Sequence, residues 1–278
     1  MSTLNTAVQA AKEAGKLIRQ KAAVAKQVQY KSSAQDLVTE VDQASEAMIR
    51  KQLLSQYPEH VILGEEGVEP GAKASKEALE EHRGCEHLWI VDPIDGTTNF
   101  VHGFPMFCVS IAYAYNQEVV AGVIYDPLRD ELFTAEKGKG AFLNGKEIRI
   151  SNEKTLEESL LATGFPAGDK EARQRNLEGI LKLSPLCRNI RAGGSAALHL
   201  AYVAAGRLTG FWELDLNAWD LAAGSLLVLE AGGDVTDTAG HGYDLVVRHI
   251  SASNGHIHPF LLNALKEAQA TGFENMVK

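Results

Sequence analysis

The sequence predicts a mixed α/β protein folded as one layered body. Strand-like runs follow one another between about residues 107 and 150 with only short turns between them, which describes a meander and hence a largely antiparallel sheet. After Ser151 the pattern changes to strands that alternate with helices. No Pro-, Gly- or Ser-rich linker separates the halves, so residues 1–278 are expected to form a single unit. Its first part, 1–150, carries the mostly antiparallel sheet with N-terminal helices, and 151–278 the alternating strands and helices.

Taken in order, Ala7, Ala10, Ala11, Ala14, Leu17 and Ile18 recur at helical spacing and predict a helix from about Leu4 to Ala25. A second helix is expected to start near Asp42, as its cap, and to end before Pro58. Val61-Ile62-Leu63 reads as a short strand running into Gly64-Glu65-Glu66. The polar stretch Val68 to Glu86 reads as a surface loop with one short helix, capped by Ser75 and terminated by Gly84. Leu88 to Val91 is a buried strand, and the meander comprises Phe107–Tyr115, Val119–Tyr125, Glu131–Ala135 and Ala141–Ile150. Further strands are expected near Leu160–Thr163, Gly210–Glu213 and Ile250–Ala252. The helices between them are expected near Glu171–Leu183, Ser195–Ala205, Asp220–Glu230 and Pro259–Ala270.

Composition narrows the function classes. The chain is 45% hydrophobic and 23% charged, as soluble globular proteins are. A net charge of −9 argues against a general binder of nucleic acid or of anionic membranes. It leaves a small anionic substrate open, because a bound metal reverses the sign locally. Cys85, Cys108 and Cys187 form no C-x-x-C and fit free thiols in a reducing, cytoplasmic setting. Lys12, Glu13 and Lys16 interrupt any leader-like apolar run, and no run approaches the roughly 18–20 residues that span a bilayer.

The chemistry concentrates in Trp89 to Phe100, W-I-V-D-P-I-D-G-T-T-N-F. D-P and D-G are common turn dipeptides, and Thr caps helices, so a lone D-G-T would be a turn. Here two carboxylates leave a buried strand with Pro93 setting their separation, and burying them unpaired would be costly. Oxygen ligands without Cys or His select a hard cation, Mg²⁺ or Mn²⁺, over zinc. Gly96 permits an unusual φ, and the amides of Gly96, Thr97 and Thr98 would open a helix whose N-terminus attracts phosphate. Glu65 and Glu66 follow an apolar strand as Asp92 does, and strand-end carboxylates can converge. Asp220 reads first as a helix cap, a role compatible with reaching a metal.

Other motifs read as structure. Ser195 in Gly193-Gly194-Ser195-Ala196-Ala197 is a helix cap rather than a nucleophile, since the run is not G-x-S-x-G. Gly140 to Lys146 imitates a nucleotide-binding loop, but Glu147 stands where a hydroxyl is required, and Asn144-Gly145 is a hairpin turn. His256-x-His258 reads as a surface turn before Pro259. Arg188, Arg191 and Arg207 lie in one region.

Taken together, Gly64–Glu66, Trp89–Phe100 and W-D-L-A-A-G at Trp219–Gly224 resemble the inositol monophosphatase family. The resemblance continues through K-S-S-x-x-D-L-V-T-x-x-D (Lys31–Asp42), G-K-G-A-F-L-N-G (Gly138–Gly145) and E-A-G-G (Glu230–Gly233). Ala162–Pro166 and Gly194–Arg207 are most similar to its bacterial branch. The resemblance implies a layered αβαβα sandwich of the inositol monophosphatase and fructose-1,6-bisphosphatase type, a homodimer as the usual assembly, and sensitivity to lithium. It implies Mg²⁺-dependent hydrolysis of a phosphate monoester by a metal-activated water, with two or three ions per site. By position, Glu65, Asp92 and the Ile94 carbonyl would hold one ion, Asp92, Asp95 and Asp220 a second, and Glu65 a weaker third. Thr97 with Asp42 would orient the water, Glu213 would accept a substrate hydroxyl, and Gly194, Ser195 and Ala196 would contact the sugar, with Glu66 standing behind Glu65. Asp95, Gly96, Thr97 and Asp220 would also touch the substrate.

Three departures concern the substrate rim: Gly67 where many members have serine, a long Glu65–Asp92 segment, and Ser195 in place of threonine. A phosphorylated polyol, inositol 1-phosphate foremost, is the expected substrate. Fructose 1,6-bisphosphate, histidinol phosphate and a nucleotide phosphate are the alternatives with the same chemistry. A different class of role, as an accessory partner of the bacterial transcription machinery, stays open.

Overall fold

The computed structural model describes residues 2–22, 28–30, 37–166 and 168–272. In chain order it forms α1 (Thr3–Lys21), β1 (Val28–Tyr30), β2 (Leu37–Thr39), α2 (Glu40–Gln56), β3 (Val61–Gly64), α3 (Ala72–Glu81), β4 (His87–Asp95) and α4 (Thr97–His102). The meander follows as β5 (Cys108–Tyr115), β6 (Glu118–Asp126), β7 (Glu131–Glu136), β8 (Ala141–Leu143) and β9 (Lys146–Ile148). The remainder is β10 (Leu160–Thr163), α5 (Lys170–Leu183), β11 (Asn189–Ala192), α6 (Ala196–Ala204), β12 (Gly210–Glu213), α7 (Ala218–Glu230), β13 (Asp234–Asp237), β14 (Ile250–Ser253) and α8 (His258–Glu267).

The larger sheet has seven strands in the order β3-β4-β5-β6-β7-β8-β9, antiparallel throughout except that β3 lies parallel to β4. The expected meander is therefore present. The smaller sheet has the order β11-β10-β12-β14-β13, parallel among β11, β10 and β12 and antiparallel beyond. Strands β1, β2, β11 and β13 were not foreseen: they are short and carry no alternating pattern. Residues 31–36 of the family-like K-S-S run, and the end of the expected first helix at 23–25, lie outside the described residues.

The layers stack as α1/α2, large sheet, α6/α7, small sheet, α5/α8. Three apolar cores fill the interfaces, the central one spanning both faces of the α6/α7 layer. Ala7, Ala10, Ala11, Ala14 and Ile18 pack on Val109, Ile111 and Val123 of the large sheet. The residues of α6 and α7 fill the centre with Ile90, Phe133 and Phe211. Trp212 and Leu161 meet Leu261 and Leu265 on the far side. The central helices bury nearly all their faces, which is why their sequences are apolar all round. Gly122 lets α7 approach β6 closely, since a Cβ there would stand 2.9 Å from the Ala223 carbonyl.

Several local expectations need correction. Helix α2 is capped by Thr39, not Asp42; Asp42 is the third residue of a capping box and bonds back to Thr39 N at 2.9 Å. Asp220 has the same role behind Asn217, the actual cap of α7. Helix α3 starts after Gly71, whose φ of 108° suits glycine, and Ser75 lies inside it, donating back to the Gly71 carbonyl at 3.2 Å; the helix ends at Glu81 rather than near Gly84. His258 is not a surface residue: it is 5% exposed, with ring nitrogens 2.9 Å from Thr236 Oγ1 and 3.0 Å from Ser253 Oγ. The Asn144-Gly145 turn forms as expected, with φ of 49° and 76° closing β8 on β9. Among the described residues no helix is long and apolar enough to cross a membrane.

Candidate active site

Strand β4 does not stop at Asp92 but continues to Asp95. Its pairing with β5 is regular through Asp92↔Ser110 and then shifts, so that Asp95 faces Cys108. Three steps on β4 match two on β5, which makes a bulge with one extra residue around Pro93. Proline, with no N–H to offer a neighbour, is tolerated at a bulge. In a regular strand residues three apart point to opposite faces; the extra residue brings Asp92 and Asp95 to the same side. Ile94 N–H donates to Asp92 Oδ1 at 2.9 Å and holds that carboxylate in the turn.

Gly96 then reverses the chain at φ 99°, and a Cβ there would stand 2.9 Å from the Met106 carbonyl. Helix α4 begins at Thr97, as the motif predicts. Thr97 Oγ1 lies 3.0 Å from Asp42 Oδ1 and 3.1 Å from the Ile94 carbonyl, so it ties α2 to the end of β4. Asn99, which the sequence reading missed, donates through Nδ2 to the carbonyls of Met106 and Gly193, both at 2.7 Å, and fastens α4 to the turn before α6. A side chain that bonds only to distant backbone leaves no spacing signal.

The start of α6 receives Asp95. Ser195 caps the helix, accepting from Leu198 N at 3.3 Å, and donates to Asp95 Oδ2 at 2.6 Å, while Ala197 N–H donates to the same oxygen at 2.7 Å. Asp220 enters from α7, where its Oδ2 accepts from Asn217 N at 2.7 Å. Asp92, Asp95 and Asp220 each offer an oxygen, and these atoms lie within 4.8 Å of one another. Glu65, on the single 3-10 turn after β3, reaches the Asp92 carboxyl. The backbone N–H of Glu66, next along the turn, donates to Glu46 Oε2 at 2.9 Å.

These like charges work against one another. Burial pushes Asp92 well above the usual carboxylate range, and the charges of Glu65, Asp95 and Asp220 push it further. Asp220 rises well above its usual value for the same reasons, burial first and then Asp95 and Glu65. Asp95 reaches about 6: burial raises it against the lowering effect of Ser195, Ala197 and Ala196. Burial lifts Asp42 to about 6 despite its bonds to Thr39. Arg248 eases the Asp220 charge, but its guanidinium is committed to Asp215 and to Asn217 Oδ1. Cys108 touches Asp95 and Ser195 at 3.8 Å, yet burial keeps it a thiol and not a thiolate ligand. A buried, all-oxygen cluster short of positive charge fits a hard divalent cation.

Asp95 and Asp220 line a cleft of about 740 Å³. Ser195 and Glu213 line one wall and Thr98 and Asn99 another; Gly71 and Ala72, from the segment expected as a surface loop, form part of the rim. Glu213 ends β12 and lies flat on Gly164, where any side chain would collide with its carboxylate. Burial, then the charges of Asp95 and Asp220, push it well above its usual pKa. The structure thus gathers Glu65, Asp92, Asp95, Asp220, Thr97, Asp42, Gly96, Gly194, Ser195, Ala196 and Glu213 around one cleft or its floor. Arg188, Arg191 and Arg207 border a separate hollow of about 380 Å³, and Arg207 is held there by Glu131 in a two-pronged ion pair at 2.6 and 2.7 Å.

A model of the Inositol monophosphatase family matches residues 1–270. The chain is 43% identical over 268 residues to inositol monophosphatase 2 of Solanum lycopersicum, covering 96% of this chain and 98% of that one. It is 44% identical over 270 residues to Nus factor SuhB of Pseudomonas aeruginosa, with 95% of each covered. The crystal structure of the extragenic suppressor protein suhB from Bartonella henselae superposes with a TM-score of 0.87 at 42% identity, covering 96% of this chain and 99% of that one.

Proposed function

The chain belongs to the inositol monophosphatase family, whose members are phosphatases, and we propose that its reaction is Mg²⁺-dependent hydrolysis of a phosphorylated polyol, inositol 1-phosphate foremost. The observation that carries this reading is the convergence within 4.8 Å of the Asp92, Asp95 and Asp220 carboxylates, the first two buried and the third half-buried, at a cleft that Asp95, Asp220 and Glu213 line. Glu65, Asp92 and the Ile94 carbonyl would hold one ion, Asp92, Asp95 and Asp220 a second, and Glu65 a weaker third. Bound ions supply positive charge to the phosphate oxygens and the leaving alkoxide and lower the pKa of a water.

The protein's own groups do the rest. Asp42 Oδ1 accepts the hydroxyl hydrogen of Thr97 at 3.0 Å, which leaves the Thr97 oxygen free to accept from a water and aim it. With its pKa lifted to about 6, Asp42 is a better proton acceptor than an ordinary aspartate. The Gly194–Ala196 turn faces the sugar, and Glu66 supports the turn that carries Glu65. Once the neighbouring carboxylates are neutralised, Glu213 is left as an acceptor for a substrate hydroxyl. No nucleophilic side chain is needed. A homodimer, inhibition by lithium and a cytoplasmic location complete the proposal.

A phosphate-release screen over inositol 1-phosphate, fructose 1,6-bisphosphate, histidinol phosphate and nucleotide phosphates with Mg²⁺ tests it. Inositol 1-phosphate should be turned over best, and a clear preference for another ester would replace the substrate. Glu213→Gln weakens a charge-assisted bond worth roughly 1.5–3 kcal/mol, so kcat/KM for inositol 1-phosphate should fall about 10–100-fold. A minimal aryl phosphate should be nearly unaffected. Equal losses on both would move Glu213 to the metal centre or the fold.

The relative named a Nus factor favours a second reading, an accessory role in transcription. Arg188 and Arg191, at the hollow away from the cleft, are the basic groups available for it. A pull-down of transcription components with the Asp95→Asn protein separates the roles: retention supports the second, and the absence of any capture by the wild type removes it.

A further inference from the structure

The turn that presents Glu65 is short, and Gly64, at its cap position with φ −117° and ψ 148°, has no side chain to accept from the turn's amides. That task falls to Glu46, eighteen residues earlier on α2, whose side chain is 5% exposed. Glu46 Oε2 accepts the Glu66 N–H at 2.9 Å, and Oε1 accepts from Arg50 Nε at 2.7 Å. Its carboxylate fills the place beside Gly64, where a Cβ would stand 2.5 Å from the carboxyl carbon. Arg50 grips the same segment, with Nη1 donating to the Ile62 carbonyl at 3.3 Å. Its Nη2 lies where a Cβ on Gly67 would be only 3.2 Å away. The glycine at 67, a departure from the family pattern, thus makes room for the arginine.

From this geometry we infer that Glu46, locked by Arg50, is the positioning residue of the metal centre: it caps the Gly64–Gly67 turn from α2 and thereby sets where the Glu65 carboxylate stands relative to Asp92. The inference rests on the reading of Glu65 as a metal ligand. Glu46 and Arg50 do not themselves line the cleft. Both oxygens of Glu46 serve as acceptors, so Glu46→Gln keeps the volume but turns one acceptor into a donor facing an N–H. The turn then loses its carboxylate anchor from α2 while the fold of α2 is kept.

The test is a double-mutant cycle on Mn²⁺ binding, read by electron paramagnetic resonance of the free ion with no substrate present. Wild type, E46Q, E65Q and the double variant are titrated at one pH. E46Q should weaken Mn²⁺ binding about tenfold, as loss of a partner that orients a ligand does. In the E65Q background the same change should cost less than about twofold, because its target is gone. Amide exchange at Glu66 should also quicken in E46Q. An undiminished loss in the E65Q background, or no loss in wild type, would overturn the inference. Failure of the wild-type protein to bind Mn²⁺ at all would instead overturn the metal-dependent reading beneath it. If E46Q does not fold, R50K, which removes the Nε donor, runs the same cycle.

Discussion

The two ends of β4 solve opposite problems with buried polar groups. At its start, His87 Nδ1 lies 2.6 Å from Tyr113 OH, and Trp89 Nε1 donates to His60 Nδ1 at 3.1 Å. The rings stack, His60 on His87 with centroids 4.3 Å apart and on Tyr57 at 4.6 Å. Donors there meet acceptors within the chain. At the far end of the same strand, Asp92 and Asp95 meet Glu65 and Asp220, all acceptors once ionised, and the surrounding charges raise the proton affinity of Asp92 and Asp220. One end pairs its donors with acceptors, whereas the acceptors gathered at the other exceed the donors that the protein offers them, an excess that protons or cations can balance.

The largest expected effect breaks the acidic end. Asp95→Asn keeps the shape but removes a charge that the start of α6 holds and that the proposed cation would share. Activity should fall on the order of 10³-fold or more, because charge stabilisation by bound metal supplies several kcal/mol of the barrier reduction. Turnover of inositol 1-phosphate at saturating Mg²⁺ measures it, and retained activity would remove Asp95 from the site.

A second prediction concerns the metal-free protein. Its raised carboxylates hold protons in the folded state after the unfolded chain has released them. Their contribution is therefore full below about pH 4 and is lost as pH rises through about 6, the value for Asp42 and Asp95, and beyond it for Asp92 and Asp220. The histidines slope the other way. His60 is lowered by burial and by His87, His258 by burial, and His199 to about 4, so their contribution is present above about pH 6.5 and lost as pH falls. Mg²⁺ should thus raise Tm more at pH 8 than at pH 5. Asp220→Asn, whose amide oxygen still accepts from Asn217 N, should raise Tm in EDTA at pH 8 and shrink the gain from Mg²⁺. A lower Tm in EDTA would show that its helix bond outweighs the repulsion.

The smallest effect probes the self-satisfied end. His60→Leu leaves the fully buried Trp89 N–H without its acceptor and should cost about 1–3 kcal/mol in urea unfolding. The loss should be the same with Mg²⁺ or EDTA, and phosphatase activity should hold. A metal-dependent loss would mean that the two ends of β4 are coupled.

Much of the site was legible residue by residue, but not how it is held. The proline and glycine of the 92–97 stretch announced a special turn, and the family resemblance collected the carboxylates. Asp42 and Asp220 were read as first caps because an acid before an apolar run looks like one. The patterns Thr39-x-x-Asp42 and Asn217-x-x-Asp220 are capping boxes and could have placed both correctly. Glu46 gave no signal, since a glutamate on an amphipathic helix is ordinarily solvated. His258 was judged by its neighbour Pro259, while its burial is set by Thr236 on a strand far off in sequence.

What the chain determines by itself is what neighbouring residues decide among themselves: the strand of Leu88–Val91, the Asn144-Gly145 hairpin, the Ser195 cap and the left-handed turn at Gly96. These follow from φ preferences, side-chain alternation and hydrogen bonds that close within a few residues. Tertiary structure alone decided that the turn after β3, strand β4 and helix α7 deliver their acids to one point beside the start of α6, that Glu213 lies on Gly164, and that Glu46 reaches under the Glu65 turn. Those contacts depend on strand order and on how five layers stack, and the packing that sets them joins residues from 20 to over 100 positions apart, beyond any local pattern.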